Sequence, residues 1–296
     1  MIKNKIELKK LLSFLFLNRP APDCGIPLFT EPKSIPKIIH QTYYSKKLPD
    51  EIAQAVSTIK KRNPDWEYRF YDDDDIVRFI QEEYGNSMMA LYNRISNNYG
   101  AARADFFRYL LMYRFGGVYL DIKSTAQKPL DEIIHEEDRL ILCHWGNSER
   151  FHGAGQHDEL RGIIDGGEFQ QWHIICTPGH PYLRAVINAV VRNIKIYIPE
   201  MHETGAYGVL RLTGPVAYSL AIAPLMSMNA HRLESSHEDI SLEYSIYSSN
   251  KQHYKRLRRH YSELNDPIAK VTLINRFLQA FYIIRKLVFK RLTSPS

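Results

Sequence analysis

The sequence has few cysteines and lacks the short motifs of several common enzyme classes. Its three cysteines, Cys24, Cys143 and Cys176, are far apart and odd in number. They predict neither a disulfide framework nor a CxxC metal site, and they fit a reducing compartment. There is no HExxH, Walker or GxSxG motif, so a zinc protease, a P-loop NTPase and an α/β-hydrolase have no support. The longest apolar run near the N-terminus, residues 11–17, is far shorter than the roughly 20 residues of a membrane span.

Basic residues are concentrated at the C-terminal end of the chain. Residues 251–296 contain eleven Lys or Arg and two Asp or Glu, a net charge of +9, whereas the first 250 residues carry a net charge of −3. Within this segment residues 271–292 show the apolar spacing of a helix that ends in a basic cluster, which suits a helix lying in a membrane interface. The alternative is a helix packed on the core with a solvated basic edge. No base-reading motif accompanies the charge, so nucleic acid is not an expected partner.

The order of apolar segments indicates an α/β domain. Residues 1–34 read as a basic and apolar helix followed by a proline-rich linker. Strands are expected at 35–43, 66–71, 118–120, 140–143 and 173–176, and helices at 49–62, 76–84, 180–193 and within 205–225. Four aspartates, residues 72–75, precede the second of these helices and are interpreted as its N-cap and first turn. This alternation predicts a mostly parallel mixed sheet with helices on both faces, plus terminal helices.

One stretch places charged residues where open α/β sheets bind ligands. Asp105 and Arg108 are three residues apart and share a helix face. Gly116 and Gly117 are expected to end that helix, since glycine readily takes the left-handed cap conformation. A short β-prone run follows, and Asp121 comes directly after it, outside the carboxyl end of a strand. Taken alone, the Asp105–Arg108 pair would be better explained as a surface ion pair.

This stretch resembles the signature of retaining, nucleotide-sugar-dependent glycosyltransferases with a DXD motif. The group includes fungal α-mannosyltransferases, bacterial capsular polysaccharide transferases and, more distantly, glucosylating clostridial toxins. Its pattern, Asp-x-x-Arg and then Gly-Gly-x-Tyr-x-Asp-x-Asp, is matched here except at Lys123, where the second Asp is expected. Residues 35–43, 63–72, 178–181 and 213–215 resemble further landmarks of the same family. The resemblance implies a GT-A-like fold.

The resemblance also implies roles for individual residues. Asp105, Arg108 and Asp121 would form the catalytic group, with the first two bonding hydroxyls of the donor sugar and Asp121 binding the ribose, a metal or both. The residues expected to contact the donor are His40, Tyr43, Arg103, Tyr119, Lys123, Thr213 and Gly214. Tyr43 or Tyr44 would stack on the base, although ordinary aromatic packing explains them equally well. Arg103 is an alternative contact for the sugar or the phosphate.

Lys123 leaves the metal requirement open. Divalent cations prefer several oxygen ligands, and an ammonium group repels them. One outcome is Mn²⁺ or Mg²⁺ held by Asp121 and a C-terminal group such as His260. A second is catalysis without metal, in which Lys123 bonds the diphosphate as a point charge. A third is an inactive relative with a degenerate DXD motif.

The sequence thus predicts a glycosyltransferase domain at 35–266, with a nucleotide-sugar half at 35–124 and an acceptor half at 125–266, followed by a basic amphipathic helix at 267–296. The expected reaction moves a sugar from a UDP- or GDP-linked donor to a glycan or glycolipid, with retention, in the synthesis of a cell-surface polysaccharide. The alternative is a non-catalytic nucleotide-sugar or glycan-binding relative. The expected location is cytoplasmic, with peripheral contact to the inner face of a membrane.

Overall fold

A computed structural model describes residues 20–146, 148–247, 264–277 and 279–280. The strands in these residues are β1 Ile38–Thr42, β2 Glu67–Tyr71, β3 Gly117–Leu120, β4 Thr125–Ala126, β5 Leu140–Cys143, β6 His173–Cys176, β7 Arg232–Glu234 and β8 Leu242–Glu243. The helices are α1 Asp50–Arg62, α2 Asp73–Tyr92, α3 Gly100–Phe115, α4 Leu130–Ile133, α5 Pro181–Ile196, α6 Pro199–His202, α7 Gly205–Leu212 and α8 Pro215–Ile222. Short 3-10 helices lie at Glu149–Phe151 and Ala223–Leu225.

Six of the described strands form one mixed sheet in the order β2-β1-β3-β6-β5-β7. The pairs β1–β2, β1–β3 and β5–β7 are parallel, whereas β6 runs antiparallel to both β3 and β5. The separate pair β4–β8 is antiparallel. Because β1 to β3 and β5 to β7 share one sheet, the nucleotide-sugar half and the acceptor half expected from the sequence are built on a common frame.

The two faces of this sheet are covered by different helices. Side chains alternate along β3, so that Tyr119 packs on one face and Val118 and Leu120 on the other. The larger face carries α2, α3, α5 and α8 with their aromatic and aliphatic side chains. The opposite face is closed by Ile59 of α1 and by residues of α4. The expected fold class, α/β with a mostly parallel mixed sheet and helices on both faces, is confirmed.

Two local signals in the sequence have the predicted structural effect. The Asp72 carboxylate accepts from the Asp75 backbone N–H at 2.9 Å, and the Asp75 carboxylate accepts from the Asp72 N–H at 3.2 Å, which is a capping box at the start of α2. Gly116 and Gly117 end α3 with φ values of 61° and 91°. A Cβ on Gly116 would lie 2.5 Å from the ring Cδ of Pro178, so this turn admits no side chain.

The end segments are described only in part. The predicted N-terminal helix lies outside the described residues. Residues 273–277 and 279–280 are helical, within the helix expected at 271–292. By length and composition one described helical stretch, Gly205–Leu225, is apolar enough to cross a membrane, with a mean hydropathy of 1.2. It is interrupted at Thr213 and Gly214 and is 67% buried within the fold, as a core helix is.

Candidate active site

Helix α3 and strand β3 bring Asp105, Arg108 and Asp121 together at one edge of the sheet. The Arg108 Nη2 atom lies 3.1 Å from Asp121 Oδ1 and 3.4 Å from Asp105 Oδ1. The side chains of Asp105 and Arg108 are each 5% exposed, whereas that of Asp121 is 24% exposed. Asp121 is therefore the most solvent-accessible member of this Asp–Arg–Asp triad.

Residues from distant parts of the chain complete the triad. Gln171 donates from Nε2 to Asp105 Oδ1 at 3.0 Å, and its carbonyl and side-chain oxygens each accept from Arg108 Nη1 at 2.8 Å. The Thr213 hydroxyl donates to Asp105 Oδ2 at 3.0 Å, and the Thr213 carbonyl accepts from the Tyr109 hydroxyl at 2.8 Å. The sequence indicated Thr213 but not Gln171, whose only signal is its position just before a buried strand.

The electrostatics of the triad follow from burial and mutual contact. Burial raises the pKa of the Asp105 carboxyl above its ordinary value, against the lowering effects of Arg108, Gln171 and Thr213. Burial lowers the pKa of the Arg108 guanidinium, but Asp121, Tyr119 and Asp105 together raise it above the ordinary value. Arg108 therefore keeps its charge.

Arg108 faces protein acceptors on all three nitrogens. Its Nε donates to the Ala104 carbonyl at 3.3 Å, Nη1 donates to Gln171, and Nη2 faces the two carboxylates. Its guanidinium also lies 4.8 Å from the centre of the Tyr119 ring, whose hydroxyl donates to Asp121 Oδ1 at 3.3 Å. These contacts suit a residue that positions the carboxylates. The sequence-based expectation that Arg108 itself bonds the donor sugar is not what this geometry favours.

His40 lies fully buried on β1 and forms a hydrogen bond with the turn that follows α3. Its Nε2 lies 3.0 Å from the Gly116 carbonyl and can only donate to it, so Nδ1 accepts from the Tyr71 hydroxyl at 3.1 Å. Burial lowers the pKa of His40 to about 3, with the bond to Gly116 opposing the shift. These bonds favour a structural role for His40, which holds the turn after α3 in place, and its contact with a donor stays a prediction.

Tyr43 and Arg103 are also engaged away from the triad. Tyr43 is 6% exposed and packs with Ile52 and Ile122, while the neighbouring Tyr44 is 42% exposed. Of these two tyrosines, Tyr44 has the ring that is accessible for stacking. The Arg103 guanidinium lies 4.1 Å from the centre of the Tyr92 ring and donates to the Ile95 carbonyl at 3.3 Å, contacts that favour a structural role.

Gly214 and Lys123 both follow Asp121 in the chain, and they lie in different surroundings. Gly214 precedes α8, where a Cβ would come within 2.9 Å of Leu210 Cα, so it allows α7 and α8 to pack closely behind Thr213. Lys123 Nζ donates to the Tyr244 hydroxyl at 2.8 Å and lies 4.0 Å from the centre of that ring. Tyr244 itself packs against Trp172, whose carbonyl accepts from the Asp121 N–H at 2.8 Å. Lys123 is therefore anchored in an aromatic cluster next to the strand end.

A divalent cation would find no preformed cluster of ligands among the described residues. They contain no group of three or more His, Cys, Asp or Glu side chains arranged to hold a metal ion. Asp121 Oδ1 is occupied by Arg108 and Tyr119, and Lys123 adds positive charge two residues away. His260, the proposed second ligand, lies outside the described residues, so its metal role stays a prediction.

Comparisons with known proteins identify the region that carries the triad. Residues 49–140 match the profile of a glycosyltransferase sugar-binding region containing a DXD motif. Inositol phosphoceramide mannosyltransferase 3 of Schizosaccharomyces pombe is 34% identical over 102 residues, which are 34% of this chain and 28% of the relative. An initiation-specific alpha-1,6-mannosyltransferase of Candida albicans is 30% identical over 169 residues, 54% of this chain and 43% of the relative.

The similarity is partial in extent. The chain spans less than half the length of these two curated relatives. Among solved structures, the PaToxG glycosyltransferase aligns with a TM-score of 0.43 at 17% identity, covering 76% of this chain and 77% of that one. The profile match encloses Asp105, Arg108, Asp121 and Lys123. Residues 49–140 are therefore similar to the sugar-binding region of glycosyltransferases that contain a DXD motif, which is the resemblance that the sequence pattern indicated.

Proposed function

We propose that this chain transfers a sugar from a nucleoside diphosphate donor to a glycan or glycolipid acceptor. The observation that carries the proposal is the Asp105–Arg108–Asp121 triad, which lies at the carboxyl end of β3 with Asp121 partly exposed, inside the region that matches the sugar-binding profile. Two carboxylates sharing one guanidinium carry a net charge of −1. Such a group is suited to accept hydrogen bonds from the hydroxyls of a sugar or ribose.

The reaction requires that donor and acceptor be held while one bond is exchanged for another. The bond between the anomeric carbon and the diphosphate oxygen breaks, the nucleoside diphosphate leaves with the electron pair, and an acceptor hydroxyl bonds the same carbon as it loses its proton. Asp121, the most exposed member of the triad, is the residue that we expect to contact the donor. Arg108 and Gln171 hold it and Asp105 in fixed positions, which removes the cost of ordering them during the reaction.

The leaving diphosphate needs positive charge. Lys123 is the cation nearest to Asp121 in sequence, and Tyr244 fixes its ammonium group beside the strand end. We assign to it the stabilisation of the leaving group, in part or in full. If a divalent cation binds as well, Asp121 would be one ligand, and the cation would neutralise the same diphosphate charge.

The relatives suggest the class of sugar and acceptor. Two of them are named for mannosyl transfer, and one of those is named for inositol phosphoceramide. Mannose from a GDP- or UDP-linked donor, and a glycan or glycolipid acceptor, are accordingly the first substrates to test. Retention of configuration and a role in cell-surface polysaccharide synthesis follow only from the family resemblance.

Membrane contact is supported by the start of the C-terminal helix. Leu273, Ile274 and Phe277 are between 74% and 78% exposed. Asn275 is buried and donates to the carbonyls of Lys195 and Tyr197 at 2.7 and 3.2 Å, which fixes the helix start on the domain. The apolar side chains thus point outward from an anchored helix, as expected for peripheral binding to a membrane surface.

The decisive experiment measures donor hydrolysis by the purified chain across a panel of UDP- and GDP-linked sugars, with Mn²⁺ and with EDTA. The substitution Asp121→Asn keeps the shape of the side chain but removes its charge, and should abolish turnover while the chain still folds, because Arg108 keeps Asp105 and Gln171 as partners. Asp65→Asn is the matched control, because Asp65 is an exposed aspartate within the same profile match. Turnover in Asp121→Asn at the wild-type rate would overturn the site. Donor binding without turnover in the wild type would establish the non-catalytic alternative.

A further inference from the structure

A polar cavity lies between a loop and the α7–α8 helices. Its volume is about 210 Å³. The loop, residues 156–159, supplies an amide, an imidazole and two carboxylates to one wall. The helices supply Tyr207, Leu210, Arg211 and Val216 to the other. A small concave site in which several polar groups converge can orient a small polar ligand.

The polar groups of this cavity are held in place by buried contacts. His157 Nε2 lies 2.7 Å from Glu168 Oε2, and Glu168 is only 5% exposed. The other oxygen of Glu168 accepts from the Trp145 indole N–H at 2.7 Å. Across the cavity, Arg211 forms ion pairs with Glu159 and with Glu203. A side chain oriented by a buried carboxylate presents its remaining atoms in one direction, as binding residues do.

The cavity and the triad share two supports. Glu168, which orients His157, is three residues from Gln171, which bonds both Asp105 and Arg108. Three residues span at most about 11 Å. Thr213, which bonds Asp105, connects the two helices that form the far wall of the cavity. The cavity is therefore connected to the triad through Glu168 and Gln171 on one side and through Thr213 on the other.

The chemistry of the walls selects a neutral, hydroxyl-rich ligand. The charged side chains in and around the cavity are four carboxylates and two guanidiniums: Asp158, Glu159, Glu168, Glu203, Arg161 and Arg211. This excess of negative charge disfavours a phosphate-bearing headgroup, and the polar wall disfavours an acyl chain. The Tyr207 ring is 66% exposed at the rim and offers a flat apolar face beside hydrogen-bonding groups.

We propose that this cavity is the subsite for the accepting sugar, with one neutral hexose unit bonded by His157 and its neighbours and covered on one side by Tyr207. The inference rests on the proposed function, because it places an acceptor beside the donor site. It adds that the chain recognises the sugar part of its acceptor and not an anionic headgroup.

The test measures binding of methyl α-mannoside, methyl α-glucoside and myo-inositol 1-phosphate to the full chain by saturation-transfer NMR, alongside donor hydrolysis. Tyr207→Ala and His157→Ala should each weaken glycoside binding by roughly tenfold, equivalent to about 1.4 kcal/mol. Donor hydrolysis should keep its wild-type rate in both variants. Tyr207→Phe should bind as the wild type does, since it keeps the ring. Met228→Ala is the matched control, because Met228 is 67% exposed and does not line the cavity.

The possible outcomes separate this proposal from the proposed function. Wild-type glycoside affinity in Tyr207→Ala and His157→Ala, or binding of inositol phosphate in preference to both glycosides, would overturn the subsite while leaving donor turnover intact. If the wild type hydrolyses no donor but binds a glycoside in a Tyr207-dependent way, the subsite stands and the transferase function fails. An absence of binding to either glycoside would also overturn the subsite.

Discussion

Two Asp–Arg pairs with the same i,i+3 spacing differ sharply in their surroundings, and replacing each arginine by methionine should separate their roles. Asp75 and Arg78 lie on the surface of α2, where the arginine side chain is 61% exposed. Asp105 and Arg108 lie inside α3, where both side chains are 5% exposed. Methionine keeps much of the apolar stem of arginine and removes the charge in either position.

The expected loss of stability follows from burial. Removing one partner of a buried ion pair leaves an uncompensated charge and costs about 3–5 kcal/mol. In Arg108→Met the uncompensated group is Asp105, and Asp121 also loses its partner. For a chain of this size each kcal/mol lowers the thermal midpoint by about 2–4 °C, so the drop should be roughly 6–20 °C. Arg78→Met breaks an exposed pair, which contributes less than about 1 kcal/mol.

The pH dependence supplies an independent check. Burial already raises the pKa of Asp105 above its unfolded value, and loss of Arg108 removes a lowering contribution. The folded variant then binds a proton at a pH where the unfolded chain does not, so its stability is greatest at low pH and is lost as the pH rises through the folded pKa. Relative to the wild type, Arg108→Met should therefore recover stability between pH 7.5 and pH 5.

Thermal unfolding followed by far-UV circular dichroism, at both pH values, measures these effects. The double variant Asp105→Asn with Arg108→Met should be more stable than Arg108→Met alone at pH 7.5, because the buried charge is gone. A midpoint for Arg108→Met within about 2 °C of that for Arg78→Met would refute the reasoning. The pair in α3 would then be no more than a surface ion pair in its energetics.

Three further outcomes are expected. Gly117→Ala should lower the free energy of unfolding by several kcal/mol, because its Cβ would lie 2.5 Å from a β1 carbonyl oxygen. Gly153→Ala, at a similar positive φ but in open space, should lower it by roughly 1 kcal/mol. Equal urea midpoints for the two variants would contradict this prediction. Burial lowers the pKa of His40 and of His173 to about 3, so between pH 6.5 and pH 5 the unfolded chain binds their protons and the folded chain does not. The free energy of unfolding should therefore be lower at pH 5 than at neutral pH by roughly 2 kcal/mol for each histidine. A urea midpoint that does not fall on acidification would argue against this prediction. Lys123→Asp should make donor hydrolysis sensitive to EDTA, and equal EDTA sensitivity in wild type and variant would remove Lys123 from the metal question.

The sequence predicted those elements that depend on local signals. The bounds expected for β5 and β6 agree with the structure, since each is a short apolar run whose side chains are buried on both faces. The Asp72 cap is equally local. The helix expected at 76–84 is followed in the structure by a second helical segment that ends at Tyr92. Gly85, with a φ of 75°, forms a kink between the two segments. Burial of Met88 and Tyr92 against the core favours that second segment, and local propensity could not show it.

The site was predictable where it lies within one stretch and not where it depends on distant contacts. The strand-end position identified Asp121, and helical spacing joined Asp105 to Arg108. Gln171 was missed because its contact with Asp105 spans 66 positions and requires the antiparallel register of β3 and β6. The position of Lys123 likewise depends on Tyr244, which lies 121 positions further along the chain.

The replacement at position 123 makes physical sense when the charges of the strand end are considered together. The family pattern, Asp-x-x-Arg followed by Asp-x-Asp, would carry three carboxylates and one guanidinium, a net charge of −2 that one divalent cation neutralises. Here Asp105, Arg108, Asp121 and Lys123 sum to zero. The exchange of Asp for Lys changes the charge by +2, which equals the charge of one such cation. We infer that the ammonium group of Lys123, which Tyr244 holds, gives these four residues the same net charge as a DXD site with one divalent cation bound. A point charge on a single side chain has fewer coordination sites than a divalent ion, so in the proposed reaction Lys123 would contact the diphosphate from one side only.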